Sequence, residues 1–181
     1  MLSQQDGSGP ERDHLIEGNV ISNYSYYCIG AYSNYAATDG IPFFPSTVGD
    51  IEGVSIRGNK CLNQVDSRAT TACILVESAH NATVTDNECG KIIDNHTGIV
   101  VSSSDQVNLA NNRIDARGAT SSYCIDVEDA TNAVASGNVA TGCTGASSVG
   151  IRVAASVGAG STNQVTLTGN QAYGNTTNYA M

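Results

Sequence analysis

Short stretches in which apolar and polar residues alternate recur along the chain, and each ends at an asparagine preceded by Gly, Asp or Asn. The asparagines are Asn19, Asn59, Asn87, Asn112, Asn138 and Asn170, with gaps of 40, 28, 25, 26 and 32 residues. Three residues before each stand Ile16, Ile56, Val84, Leu109, Ala135 and Leu167. Two residues after stand Ile21, Cys61, Cys89, Ile114, Ala140 and Ala172. Five before stand His14, Val54, Ala82, Val107, Ala133 and Val165, so only the first stretch breaks the rule. A period of two predicts strands with one face buried.

A second template follows in the same units: Cys28-Ile29-Gly30-Ala31, Cys73-Ile74-Leu75-Val76, Gly98-Ile99-Val100-Val101, Cys124-Ile125-Asp126-Val127 and Gly150-Ile151-Arg152-Val153. The Ile and the last residue are expected inside and the variable residue outside. One such unit cannot bury its apolar face alone, whereas units stacked about 4.8 Å apart bury a continuous core and pair their strands in parallel. The residue before each Asn suits a left-handed bend, and stacked Asn amides can bond along the axis. The fold predicted is all-β, a right-handed parallel β-helix of about six coils. Residues 1–13 read as a flexible lead, and 14–181 as one domain with a loop inserted at about 32–53. An antiparallel sandwich fits less well, because its strands do not repeat one template in register.

From Leu15 to about Asn178 this pattern resembles the parallel β-helix repeats of the pectate-lyase-like superfamily and of phage tailspikes. The resemblance speaks to fold more than function, since that group includes lyases, hydrolases, epimerases and proteins that only bind or build. It implies an oligomer, with a trimer favoured.

Composition narrows the classes. The chain has 181 residues, a net charge of −9 and only 8 Lys and Arg in no cluster. Nucleic acid and an anionic membrane surface are therefore not expected partners. No apolar run is long enough to span a bilayer, and the polar start, Met1 to Asp13, does not read as a signal peptide, so none is expected.

The 6 cysteines invite a disulfide framework. However, Cys28, Cys73 and Cys124 share a slot with Gly98 and Gly150, and Cys61 and Cys89 occupy the inward slot after the Asn. The template thus uses Cys as a small residue, which predicts buried free thiols in ladders. A Cys28–Cys73 bridge between adjacent coils is the alternative. No CxxC occurs and His14, His80 and His96 are scattered, so neither a zinc site nor any cofactor is expected.

Insertions in a solenoid map to loops, where function gathers. The longest, Tyr32 to about Gly53, contains Tyr35, Phe43 and Phe44 and follows Tyr24, Tyr26 and Tyr27. Tyr24, Tyr26, Tyr32, Tyr35, Phe43 and Phe44 are candidates for stacking on sugar rings or meeting another subunit; Phe43 and Phe44 could equally plug the first coil. Asp39, Asp50 and Glu52 match no calcium-loop spacing.

Outward slots of the second template hold Gly30, Leu75, Val100, Asp126 and Arg152, and then Tyr32, Glu77, Ser102, Glu128 and Ala154. Asp126 and Glu128 point the same way about 7 Å apart, within the range of an inverting glycosidase pair, with Glu77 about two coils away. They are the catalytic candidates, although a solvated acidic face and an Asp126–Arg152 surface ion pair are the simpler expectation. No cluster suits a calcium-dependent lyase.

The functional expectation is a structural or receptor-binding module of a virus particle, a tailspike, fibre or decoration protein in a virion or extracellular setting. Its expected partners are copies of itself, other virion proteins and surface polysaccharide. The alternative is a polysaccharide-degrading hydrolase or lyase.

Overall fold

The computed structural model describes residues 11–25, 27–32, 51–65, 71–93, 96–119, 123–154 and 164–181. Tyr26, Tyr35, Phe43 and Phe44 lie outside the described residues. The described strands form three parallel sheets of six strands each, the faces of a β-solenoid. The first face comprises Leu15–Glu17, Ser55–Arg57, Thr83–Thr85, Asn108–Ala110, Ala133–Ser136 and Val165–Thr168. The second comprises Val20–Ser22, Lys60–Leu62, Glu88–Gly90, Arg113–Ala119, Val139–Cys143 and Gln171–Tyr173. The third comprises Ile29–Tyr32, Thr71–Glu77, His96–Ser102, Tyr123–Glu128, Val149–Ala154 and Thr177–Ala180. One strand from each face makes a rung. The four inner rungs are paired on both sides and the two end rungs on one, so the solenoid has about four enclosed turns, fewer than the six coils predicted. A short fourth sheet joins Glu11–Arg12, Ile51–Glu52 and Ala79–His80, so the expected lead and loop both contribute strand at their edges.

The register reproduces the repeat. Ile16, Ile56, Val84, Leu109, Ala135 and Leu167 stack on the first face, and Ile29, Ile74, Ile99, Ile125, Ile151 and Tyr179 on the third. In the inner rungs these apolar columns are buried. The residues before the ladder asparagines, Gly18, Gly58, Asp86, Asn111, Gly137 and Gly169, have φ between 55 and 67°. Gly, Asn and Asp adopt that left-handed bend most readily, which explains why this slot holds only these three.

The corner between the first two faces is closed by the asparagines. Asn87 donates from its backbone N–H and from Nδ2 to Oδ1 of Asn112, at 3.1 and 3.0 Å, and Nδ2 also donates to the carbonyl of Ile56 at 2.9 Å. The same set of bonds runs from Asn19 through Asn59, Asn87 and Asn112 to Asn138 and Asn170. Buried amides satisfied on several sides add directional strength that apolar packing lacks.

The cysteines correct the sequence expectation. All six are paired, as Cys28–Cys61, Cys73–Cys89 and Cys124–Cys143, with Cα separations of 5.9, 6.1 and 6.2 Å. Neither free-thiol ladders nor a Cys28–Cys73 bridge is present. Cys28 and Cys73 are axial neighbours, with the Cys28 N–H donating to the Cys73 carbonyl, but each side chain reaches diagonally to the second face of the next rung. The same diagonal is filled differently at Gly98, where an added Cβ would collide with Ile114 and the carbonyl of Cys124. Three of these slots are thus bridged by two cysteines, the slot at Gly98 is filled by Ile114, and that at Gly150 is closed by Ala172 and Asn175.

Candidate functional site

The outer side of the third face brings the catalytic candidates into one sheet. The strands place Tyr32, Glu77, Ser102, Glu128 and Ala154 in one column. Gly30, Leu75, Val100, Asp126 and Arg152 form the neighbouring column.

Arg152 organises the upper half. Its Nε and Nη2 donate to the two carboxylate oxygens of Asp126 at 2.8 and 2.6 Å, and Nη2 also reaches Glu128 at 3.2 Å. The guanidinium lies 4.2 Å from the centre of the Tyr123 ring. Asp126 is only 5% exposed, so this is a sheltered two-pronged pair rather than the loose surface pair expected from spacing. The hydrogen bond donated to Asp126 holds the Arg152 guanidinium above its ordinary pKa, against the opposing effect of burial. One cation thus engages both carboxylates of the proposed pair.

Glu77, in the lower half, is 5% exposed, and burial pushes its carboxyl pKa up to about 8. A charged carboxylate there would lose its water without gaining a cation, so Glu77 holds its proton at neutral pH. Glu77 and Glu128 stand two rungs apart on either side of Ser102, about 9–10 Å along the stack.

The described aromatic candidates pack inward or onto the chain. Tyr24 is 7% exposed and burial raises its hydroxyl pKa; Tyr32 is 3% exposed and folds back over Gly30, 6.0 Å from the Tyr27 ring. Neither offers a free ring face.

The second face has a feature that the inward columns of the repeat do not announce. A concavity of about 310 Å³ lies outside its second to fourth rungs, lined by Leu62, Glu88, Gly90, Lys91, Arg113 and Asp115. The signal was present in the repeat: Gly90 is the one residue without a side chain in the outward column Ser22, Leu62, Gly90, Asp115, Thr141 and Tyr173. Among the described residues no group of three or more His, Cys, Asp or Glu is arranged to hold a metal ion.

No family model matches this chain, and no characterised protein matches it in sequence.

Proposed function

We propose that the chain is a structural or receptor-binding module of a virus particle, a tailspike-, fibre- or decoration-type β-helix of the pectate-lyase-like kind that assembles as a trimer and meets surface glycans with its outer faces. The observation that carries this reading is the internal construction. An asparagine ladder runs through all six rungs, and disulfides tie consecutive rungs together. Such a stack is built to hold shape, and its bridges suit a protein working outside a reducing cytosol. The engagement of both Asp126 and Glu128 by Arg152 also favours a binding surface over an acid–base pair. Light scattering on the purified protein tests the assembly: a mass of three chains is expected, and a stable monomer would sink it.

One observation favours the second reading, a polysaccharide hydrolase or lyase. Glu77, which holds its proton at neutral pH, shares a sheet face with Glu128, and a glycosidase needs a protonated carboxyl group opposite a second carboxyl group. Their separation along the stack lies at the upper edge of the range for inversion. Glycan cleavage that is present in the native chain and lost in Glu77→Gln and Glu128→Gln would establish it; the absence of cleavage on an acidic and neutral glycan panel would remove it.

A further inference from the structure

We propose that the solenoid extends itself end to end: the last rung of one copy receives the first rung of a second copy, and the asparagine ladder runs on through the joint. This contact lies at the ends of the stack and is separate from the side-by-side packing of a trimer.

The ladder is directional, so its two ends differ. In each inner rung the asparagine donates from its backbone N–H and from Nδ2 to Oδ1 of the asparagine on the rung after. Among the described residues no rung follows Asn170, so its N–H and one Nδ2 hydrogen meet no such acceptor. No ladder asparagine precedes Asn19, so its Oδ1 receives no such donors. The flanking backbone has the same sense. Lys60, Glu88, Arg113, Val139 and Gln171 each donate an N–H to the carbonyl of the asparagine one rung before. Val20 holds this donor position on the first rung, and Asn170 carries the matching carbonyl on the last. Each end therefore offers what the other lacks, and the joint repeats a bond set made five times within the chain. Ends that complement each other in this way join head to tail, and the association grows as an open filament.

Exposure and charge point to the same contact. Asn19 is exposed and Val20 is 71% exposed, while Ile16, Ile21, Leu167 and Ala172 are only partly covered. The third face of the first rung is shut, with Ile29 and Ala31 buried, so the joint is confined to the first two faces and the corner between them. In a chain of net charge −9, residues 153–181 carry no charged side chain, and Glu17, beside the corner on the first rung, is already paired with Arg57. Two copies therefore repel least where these ends meet. A strand edge that is neither charged nor interrupted by proline is a template for another chain, and a second copy presents the complementary edge in register.

Tyr179 keeps the joint weak. It stands in the column that Ile29, Ile74, Ile99, Ile125 and Ile151 fill on the earlier rungs. Its hydroxyl donates to the Asn170 carbonyl at 2.8 Å, the acceptor that the Val20 N–H of the second copy requires. The two donors compete, so stacking depends on concentration.

The test is sedimentation of the full chain from about 10 μM to about 1 mM, the range of a small interface, with electron microscopy of the concentrated sample. Mass is expected to grow in whole multiples of the dilute unit and without a ceiling. The filaments should repeat at about 29 Å, the height of six rungs spaced about 4.8 Å apart. Tyr179→Phe removes only the competing hydroxyl and should lower the concentration needed about fivefold. Val20→Pro removes an N–H that no described rung of the same chain accepts, and should raise that concentration about tenfold or more while leaving the melting temperature of the dilute protein unchanged. If Val20→Pro does not fold, Tyr179→Phe still decides, because the 29 Å repeat separates ordered growth from misfolded aggregate. Constant mass in both the native chain and Tyr179→Phe, or growth that a folded Val20→Pro leaves intact, would overturn the proposal. So would a mass that stops at two dilute units, which would mean that like ends pair. The trimer is read separately from the dilute unit: growth by single chains removes the trimer alone, and a mass fixed at three chains removes the end-to-end joint alone.

Discussion

The inner and end rungs are built from one template, yet they differ in what surrounds the same residue. Asn59, Asn112 and Asn138 have no exposed surface, and Asn87 has 2%. Asn19 is exposed and Asn170 half-buried. The apolar columns follow suit: Ile56, Val84, Leu109 and Ala135 are sealed, whereas Ile16 and Leu167 are only partly covered. A rung contributes its stabilisation through contact with neighbours on both sides, so energy per residue is greatest in the middle of the stack. The comparison separates effects of residue type from effects of position, and it can be broken by experiment.

The largest difference is expected in the ladder. Asn112→Ala removes the acceptor for two donors of Asn87 and the donor to the Val84 carbonyl, all buried. Loss of several buried bonds at once should cost about 3–5 kcal/mol. Asn170→Ala, at a half-open end, should cost about 1 kcal/mol. Urea denaturation of both variants decides; equal losses would mean that the ladder is incidental to stability.

Next come the disulfides. Each closes a loop of intermediate length, with sequence separations of 33, 16 and 19 residues. Replacing Cys73 and Cys89 together by Ala should cost about 2–4 kcal/mol. Thiol titration in denaturant should find none before reduction and six after; six reactive thiols in the unreduced protein would restore the free-ladder reading.

How much of this was legible follows from the type of contact. Strand positions, inward columns and the asparagine ladder recur at fixed offsets from one residue, so a period exposes them. The disulfides do not, because they run diagonally from the third face of one rung to the second face of the next. Inspection of single columns shows only that Cys alternates with Gly. The missed signal is a pairing between columns: Cys28 and Cys73 each face a Cys one rung on, while Gly98 faces Ile114. The site was partly legible. Outward slots correctly group Glu77, Asp126, Glu128 and Arg152 on one face. Slots carry no depth, however, and the burial that shifts Glu77 leaves no mark in the repeat.

A smaller effect concerns Glu77. Its folded pKa of about 8 lies above the ordinary 4.5 of an unfolded glutamate, so the folded state binds the extra proton between those values. Stability from this group is complete below about pH 4.5 and is lost as pH rises towards 8. Glu77→Gln should leave stability unchanged at pH 4 and raise it by roughly 2 kcal/mol at pH 6. Thermal melts at both pH values check this; a gain of equal size at both would mean that the proton is irrelevant.

The smallest effects come from ion pairs, where position again decides. Arg57 and Glu17 join the first two rungs with side chains about half exposed, 3.0 Å apart. Arg152 and Asp126 make a shorter contact, 2.6 Å, with side chains 25% and 7% exposed. Water screens the first pair and restores hydration when it breaks, so Arg57→Gln should change stability by less than about 0.5 kcal/mol. Arg152→Gln strands a sheltered Asp126 carboxylate and takes the cation from above Tyr123, so it should cost about 1–2 kcal/mol. Added salt should erase the first difference and leave most of the second, because screening acts through solvent that the inner pair largely excludes. If both variants lose the same amount and respond equally to salt, the shelter around Asp126 is not energetic, and the contrast between inner and end rungs stops at the core.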